Sequence, residues 1–158
     1  MRLSEIINPA AIRTGFVAGG RNKRAIIRDL VATLCKARDF DDEQREAIEE
    51  AILNREAQKP TGIGRGVAIP HGKTERVTGV CGLLAICTDG IEFQAADKIP
   101  ARFVVLMVSD FNSSPEHVAA LAQITRLLQR PEMAKKLAEG APAQIHALLK
   151  QNESQLVV

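Results

Sequence analysis

Residues 55–73 read Arg-Glu-Ala-Gln-Lys-Pro-Thr-Gly-Ile-Gly-Arg-Gly-Val-Ala-Ile-Pro-His-Gly-Lys, and the rest of the chain is interpreted around them. A helical pattern ends at the start of this stretch. A turn-rich segment follows and carries three glycines, Gly62, Gly64 and Gly66. A short apolar run then stops at Pro70, because proline cannot donate to the hydrogen-bond ladder of a strand. The pattern predicts that His71 lies on the next turn.

The surroundings of His71 in sequence suit a nucleophile. We expect Gly72 to leave open space beside the imidazole, while Arg55, Arg65 and Lys73 supply positive charge. A nearby cation lowers the pKa of an imidazole and keeps it neutral, and therefore nucleophilic, at pH 7. The alternative is an exposed histidine that ends a strand and has no chemical role.

Composition places the chain among ordinary globular proteins. Its 158 residues fit one domain, 1–158, with a core at about 3–150 and a loose tail at 151–158. Few aromatic residues and a net charge of +2 argue against nucleic-acid binding. No run approaches the ~18 apolar residues that span a bilayer, so we expect no stable membrane insertion. The N-terminus shows no signal-peptide pattern and the cysteine count is odd, so we expect a cytoplasmic location.

The three cysteines, Cys35, Cys81 and Cys87, form no C-x-x-C pair. Reduced, mostly buried thiols are therefore predicted. A zinc site built from the cysteines and a histidine is the less favoured alternative, because the spacings are not those of known zinc ligands.

Hydrophobic periodicity predicts helices before the motif and strands on both sides of it. The first helix spans 21–37, and the second runs from Asp41 or Asp42 to about 59, with Asp41 and Gln44 in a capping box. A brief edge strand is expected at 13–17.

After the motif, two nearly continuous apolar runs at 78–87 and 101–108 predict strands covered on both faces. Asp89-Gly90 is expected to close the first of them with a turn. Together with the flanking helices, these strands predict an α/β fold with a mixed β-sheet flanked by α-helices.

A further helix begins near Ser113, either through a Ser113–Glu116 capping box or with Ser114 and Pro115 as N-cap and first helical residue. His117 falls in its first turn, where free backbone N–H groups favour a bound anion. The alternative is a solvent-facing residue. Two short helices at about 131–138 and 142–150 follow, and His146 on the second is predicted to be a surface residue.

The glycines do not form a known nucleotide-binding loop. Val67 stands where the G-x-G-x-x-G fingerprint needs glycine, and no Walker sequence follows. They are expected to allow tight turns and close backbone approach to a small anionic group.

These residues carry a resemblance. Arg55-Glu56, Thr61-Gly62-Ile63-Gly64 and Ala68-Ile69-Pro70-His71-Gly72-Lys73, followed by His117 at a helix start, resemble the IIA domain of the bacterial phosphoenolpyruvate phosphotransferase system. The branch is the fructose/mannitol and nitrogen-regulatory one, and the similarity runs from about 3 to 149.

The resemblance implies a phosphoryl carrier that needs no cofactor and no metal. His71 would be phosphorylated by the histidine phosphocarrier protein, and His117 would support the phosphate. The other residues implied to bind phosphate are Arg55, Thr61, Gly62, Gly64 and Lys73. The phosphoryl group would pass to a IIB component or act as a regulatory mark on target proteins.

The motif spelling, and a chain end without a linker to a further domain, favour a free-standing nitrogen-type regulator over a sugar-specific relay. A non-catalytic interaction module, in which His71 is vestigial, is the third hypothesis.

Overall fold

The computed structural model describes residues 1–154. Its strands are β1 (Ile12–Phe16), β2 (Gly62–Gly64), β3 (Val67–Ala68), β4 (His71–Lys73), β5 (Val80–Ile91) and β6 (Ala101–Ser109). Its helices are α1 (Leu3–Ile6), α2 (Lys23–Arg38), α3 (Asp42–Gln58), α4 (Ser114–Leu128), α5 (Pro131–Glu139) and α6 (Pro142–Asn152), with a 3₁₀ turn at Pro9–Ala11.

The strands form one six-stranded mixed sheet in the order β1-β5-β6-β3-β2, and β4 also pairs with β6. The central pair, β5 and β6, is antiparallel, whereas β1 runs parallel to β5, and β3 and β4 run parallel to β6. The predicted mixed sheet flanked by helices is confirmed.

Side chains of the central strands alternate between two hydrophobic cores. On β6, Leu106 and Val108 belong to the core under α2 and α3, whereas Val105 and Met107 belong to the core under α1 and α4–α6. All four are fully buried. Successive strand residues point to opposite faces, so a continuous apolar run is what a strand covered on both faces requires.

The helices lie close to their predicted bounds because their signals are local. The capping box at α3 is present: Asp41 Oδ1 accepts from the Gln44 amide at 2.8 Å, and Gln44 Oε1 accepts from the Asp41 amide at 3.0 Å. The predicted edge strand at 13–17 is also confirmed, as β1.

The predicted turn at Asp89-Gly90 is wrong. β5 continues through a register irregularity to Ile91, which pairs with Ala101. The Asp89 carboxylate accepts hydrogen bonds from the amides of Ala18 and Gly19 at 2.8 and 3.1 Å. It therefore stabilises the turn after β1, and not a turn at Asp89-Gly90.

The expected setting of His71 also needs correction at two points. His71 does not lie on a turn, since it begins β4 and is in register with Met107 of β6. Gly72 does not open space beside the imidazole. A Cβ atom there would lie 2.9 Å from the backbone carbonyl carbon of Ala51 and 3.0 Å from the Ile52 amide nitrogen, so β4 packs directly against the backbone of α3.

The predicted loose tail is only partly tested. α6 extends to Asn152, and Glu153 accepts hydrogen bonds from the amide and hydroxyl of Ser4 at 2.7 and 2.8 Å. Ser154 is hydrogen-bonded to Gln123, so these two residues are held in place. The remainder of the predicted tail, 155–158, lies outside the described residues.

His146 was predicted to be a surface residue, but it is half-buried, with Nε2 2.8 Å from the carbonyl oxygen of Ser4. α1 packs near α6, and the histidine lies between them.

Candidate functional site

Two histidines meet at one edge of the sheet, where β4 and α4 both begin. The ring centroids of His71 and His117 are 5.5 Å apart, with an interplanar angle of 72°. β4 pairs with the last residues of β6, and α4 follows β6 after a short loop. The sheet therefore brings together two residues that are 46 positions apart in sequence.

His71 is half-buried and its Nδ1 lies 2.6 Å from the carbonyl oxygen of Ile69. A carbonyl can only accept, so Nδ1 carries the hydrogen and, in the neutral ring, Nε2 holds the free lone pair. Burial lowers the pKa of His71, and the charges of Arg55 and Lys73 lower it further, although the Ile69 hydrogen bond and the Glu56 carboxylate oppose this. At neutral pH the imidazole is therefore uncharged and nucleophilic.

His117 is 2% exposed, so the solvent-facing alternative is wrong. Its Nδ1 is hydrogen-bonded to the Ser109 hydroxyl at 2.6 Å, and its Nε2 is buried without a partner among the described residues. Burial, with smaller contributions from the charges of His71 and Lys73, lowers the pKa of His117 to about 4. Most buried polar atoms have a hydrogen-bond partner, so this nitrogen beside His71 is available to a polar group that enters the site.

The start of α4 differs from both predicted caps. Ser113 is the N-cap, but its side chain makes no capping bond to the helix, and Pro115 is the second helical residue. The nearby Asp110 carboxylate has a lowered pKa, because the backbone amide of Gly79 and the Ser113 side chain are hydrogen-bonded to it. The amide of His117 donates to the Ser113 carbonyl at 3.0 Å, so it is not free for an anion.

Two cations border the histidines. Lys73 Nζ donates to the Ser114 hydroxyl at 2.7 Å, which links β4 to the first residue of α4. Arg55, in the last turn of α3, donates to the carbonyl of Lys59 at 2.8 Å. The positive charges of both side chains contribute to the lowered pKa of His71, and the same charges favour an anion at that ring.

The amide and hydroxyl of Thr61 are hydrogen-bonded to Glu56, and not to the two histidines or the two cations. Thr61 is 3% exposed, its amide donates to Glu56 Oε2 at 2.9 Å, and its hydroxyl donates to Glu56 Oε1. A direct role for Thr61 in phosphate binding stays a prediction without geometric support, since its donors are taken by a carboxylate.

Gly62 and Gly64 pack against the loop after β5. A Cβ atom at Gly62 would lie 2.9 Å from the carbonyl oxygen of Phe93, and Gly64 has φ +91° beside Asp97. The next amide, of Arg65, donates to Asp97 Oδ2 at 2.8 Å. The Arg65 amide is therefore taken by an acidic side chain, and the predicted phosphate contact of Gly62 and Gly64 stays a prediction.

Two buried polar residues were missed from the sequence. Ser109, fully buried, is the first polar residue after the apolar run of β6. Glu56 is 3% exposed, and its spacing of four from Ile52 and eight from Ile48 places it on the buried face of α3. That spacing was a usable signal, because charged residues are rarely fully buried unless they are paired.

No group of three or more His, Cys, Asp or Glu side chains in residues 1–154 is arranged to hold a metal ion. The three cysteines are free and buried as predicted, and burial raises the pKa of Cys35 and Cys81 to about 11. None of the helices in the described part of the chain combines the length and apolarity needed to cross a bilayer.

Comparison with known proteins points to one family. Residues 6–152 match the family model described as "Phosphoenolpyruvate-dependent sugar phosphotransferase system, EIIA 2". The chain is 34% identical over 140 residues to the fructose-specific EIIABC component of Bacillus subtilis, covering 89% of this chain but only 21% of that protein. It is 33% identical over 144 residues to a nitrogen regulatory protein of Bradyrhizobium diazoefficiens, covering 91% of each.

Solved structures show the same fold. The nitrogen regulatory protein IIA-Ntr of Neisseria meningitidis superimposes with a TM-score of 0.81 at 22% identity, covering 93% of this chain and 98% of that one. The IIA mannitol component of Escherichia coli, solved in complex with phosphorylated IIB mannitol, gives a TM-score of 0.73 at 24% identity and covers 90% of this chain and 95% of that one.

Proposed function

The chain belongs to the EIIA 2 family of the phosphoenolpyruvate-dependent sugar phosphotransferase system, and from that premise we propose that it carries a phosphoryl group on Nε2 of His71. One observation carries the assignment. Nδ1 is tied to the Ile69 carbonyl at 2.6 Å, which leaves Nε2 as the nitrogen with a free lone pair. The orphan Nε2 of the facing His117 supports the same site.

The chemistry needs no proton relay. Nε2 of His71 attacks the phosphorus of a phosphohistidine on the donor, and the donor's P–N bond breaks with its electron pair returning to the donor imidazole. The hydrogen on Nδ1 stays in place, and its bond to Ile69 offsets the positive charge that the ring acquires. Protein groups contribute position and charge, as phosphoryl transfer generally requires.

His117 and the two cations hold the transferred group. In this proposal the Ser109 hydroxyl donates to Nδ1 of His117, so that Nε2 carries the hydrogen and can donate it to a phosphoryl oxygen. Arg55 and Lys73 stabilise the dianion. These roles explain why a buried nitrogen is left without a partner among residues 1–154.

The donor in this proposal is the histidine phosphocarrier protein, and the product acts as a regulatory mark of the nitrogen type. The match to the Bradyrhizobium nitrogen regulatory protein, at 33% identity over 91% of each chain, supports this choice. About two negative charges added at His71 would change affinity for a target protein by repulsion or new pairing.

A sugar-specific relay is the second candidate, because the Bacillus relative at 34% identity is a fructose-specific component. In that case a IIB component would accept the group. The mannitol IIA protein of Escherichia coli forms a complex with a IIB protein of this kind, in its phosphorylated form.

Two measurements separate these functions. Intact mass after incubation with phosphoenolpyruvate, enzyme I and the phosphocarrier protein should show one acid-labile phosphate; no added mass would favour a non-catalytic interaction module. Transfer from the labelled protein to purified fructose and mannitol IIB proteins should be slow, and pull-downs should find a partner that depends on phosphorylation. Fast transfer with no such partner would establish the sugar relay.

A further inference from the structure

We propose that a hydrogen-bonded relay running to α2 holds His71 in its reactive tautomer. Its members, in order from the ring outward, are Ile69, Thr61, Glu56 and Lys23. The proposal rests on the proposed function in so far as His71 is the phosphoryl acceptor. It assigns Thr61 a positioning role in place of direct phosphate contact.

The relay is anchored at Glu56. Its carboxylate is 3% exposed and accepts three hydrogen bonds, from the amide and hydroxyl of Thr61 and from Lys23 Nζ at 3.1 Å. Burying a carboxylate is costly unless it is paired, so this arrangement is strongly held once it forms. It fixes the peptide at Thr61 relative to the last turn of α3.

Thr61 is connected to the histidine through two hydrogen bonds made by the backbone of Ile69. The Ile69 amide donates to the Thr61 carbonyl at 3.0 Å, and the Ile69 carbonyl accepts from Nδ1 of His71 at 2.6 Å. Ile69 lies between β3 and β4, next to Pro70, which has no amide hydrogen to add a further bond. The Thr61 carbonyl therefore fixes the main chain at the amide of Ile69, on the other side of its Cα atom from the carbonyl that faces the ring. The following Pro70 carbonyl is held by the Met107 amide at 3.1 Å.

Lys23 balances the charge of the relay. Its side chain, 20% exposed, also donates to Gln94 Oε1 at 2.6 Å, which holds it over Glu56. Without this cation the Glu56 charge would act on the phosphorylated ring of His71 as an uncompensated repulsion. Lys23 thus permits a buried carboxylate to position the acceptor without opposing the arrival of an anion.

The main test combines the tautomer of His71 with its phosphorylation kinetics. ¹⁵N NMR of the neutral ring should show the Nδ1–H form in the wild type. In Thr61→Val, a larger share of the Nε2–H form should appear, and kcat for phosphorylation should fall about tenfold with the KM for the phosphocarrier protein unchanged. Thr61→Ser, which restores the hydroxyl, should recover both within about twofold.

Matched controls come from the same chain. Thr33→Val removes a half-buried hydroxyl that lies outside the relay and accepts a hydrogen bond from Arg13. It should change neither the tautomer population of His71 nor the kcat for phosphorylation. If Thr61→Val does not fold, Lys23→Met serves in its place, with an expected loss of about threefold in kcat. Lys36→Met, an exposed position on the same helix, is its control and should behave as the wild type.

A folded Thr61→Val protein with a wild-type tautomer population would overturn the relay, and so would a Thr61→Ser protein no better than Thr61→Val. If the wild type takes no phosphate, the proposed function fails, but the NMR comparison still decides whether the relay sets the tautomer.

Discussion

The two sides of the site hold their histidines in different ways. On the β4 side, His71 is half-buried and is fixed by the backbone of Ile69, two residues earlier in the chain. On the α4 side, His117 is almost fully buried and is fixed by the side chain of Ser109, which belongs to the end of β6.

The difference shows how histidine can serve at one site as a phosphoryl acceptor and as a support for the phosphoryl group. A backbone bond to Nδ1 leaves an accessible lone pair on Nε2 of His71, which suits an acceptor. Burial leaves Nε2 of His117 without a partner, at a cost of about 1–3 kcal/mol that an arriving phosphoryl oxygen would relieve. His117 is therefore expected to support the group and His71 to carry it.

The largest effect is expected from His71→Ala. It should abolish acid-labile labelling, because the described site offers no second imidazole with an accessible lone pair. Since the side chain is half-buried, unfolding free energy should fall by only about 1 kcal/mol. Intact mass and urea unfolding measure the two quantities.

His146→Ala is the matched control, because His146 is also a half-buried histidine hydrogen-bonded to a backbone carbonyl. It should label fully. If His71→Ala is labelled at the wild-type level, His71 is not the phosphoryl acceptor, and the roles assigned to the two histidines are wrong.

The next largest effect is expected from His117→Ala. Loss of a charge-assisted hydrogen bond to the phosphoryl group costs about 1.5–3 kcal/mol, so transfer should slow by roughly one to two orders of magnitude. Rapid-quench labelling of the folded variant measures the rate. Val118→Ala, a 65% exposed neighbour on α4, should transfer normally.

An unchanged rate in His117→Ala would remove the residue from the site. Complete loss of labelling in a folded variant would show that His117 does more than support the phosphate.

A third effect, on stability, follows from the buried ring of His117. The pKa of His117 is lowered from 6.5 to about 4 in the folded protein. At pH values between these two pKa values, the unfolded chain therefore binds more protons than the folded one. Stability should therefore fall as the pH falls, by about 2 kcal/mol between pH 7 and pH 5. The lowered pKa of His71 acts in the same direction.

Urea unfolding at the two pH values measures this loss, and His117→Gln should remove most of it. A pH dependence that survives this substitution intact would assign the effect to other groups.

The smallest effect is expected from Ser109→Ala, which leaves His117 in place but frees its ring. Loss of one buried hydrogen bond, on the order of 1 kcal/mol, should slow transfer about fivefold. Ser109→Thr keeps the hydroxyl and should recover the rate. Equal rates in Ser109→Ala and the wild type would show that packing alone orients His117.

The sequence predicted what local signals determine. The bounds of α3 depend on the Asp41–Gln44 capping box, and β6 depends on an unbroken apolar run, so both were predicted within one to two residues, whereas β5 ends four residues beyond its predicted end at 87. The motif placed His71 and Lys73 close together in sequence, but it did not predict that both belong to a strand, β4.

Long-range contacts could not be predicted in this way. Asp89-Gly90 is a dipeptide typical of turns, but the Asp89 carboxylate accepts hydrogen bonds from the amides of two residues that lie about 70 positions earlier in the chain. The burial of His117 depends on the end of β6, and the contact between Thr61 and Glu56 depends on how α3 meets β2. These contacts join segments that are far apart in the chain, and the local patterns of a single sequence do not specify which segments meet.

Gly72 has a consequence for mutational tolerance. Because even a methyl group would lie about 3 Å from the backbone at Ala51, every other residue at this position pushes α3 away from β4. A saturation screen scored on phosphorylation would rank position 72 beside position 71, although the glycine contributes no chemical group. Such a screen would therefore overestimate the number of residues that take part in the chemistry, unless folding is scored separately.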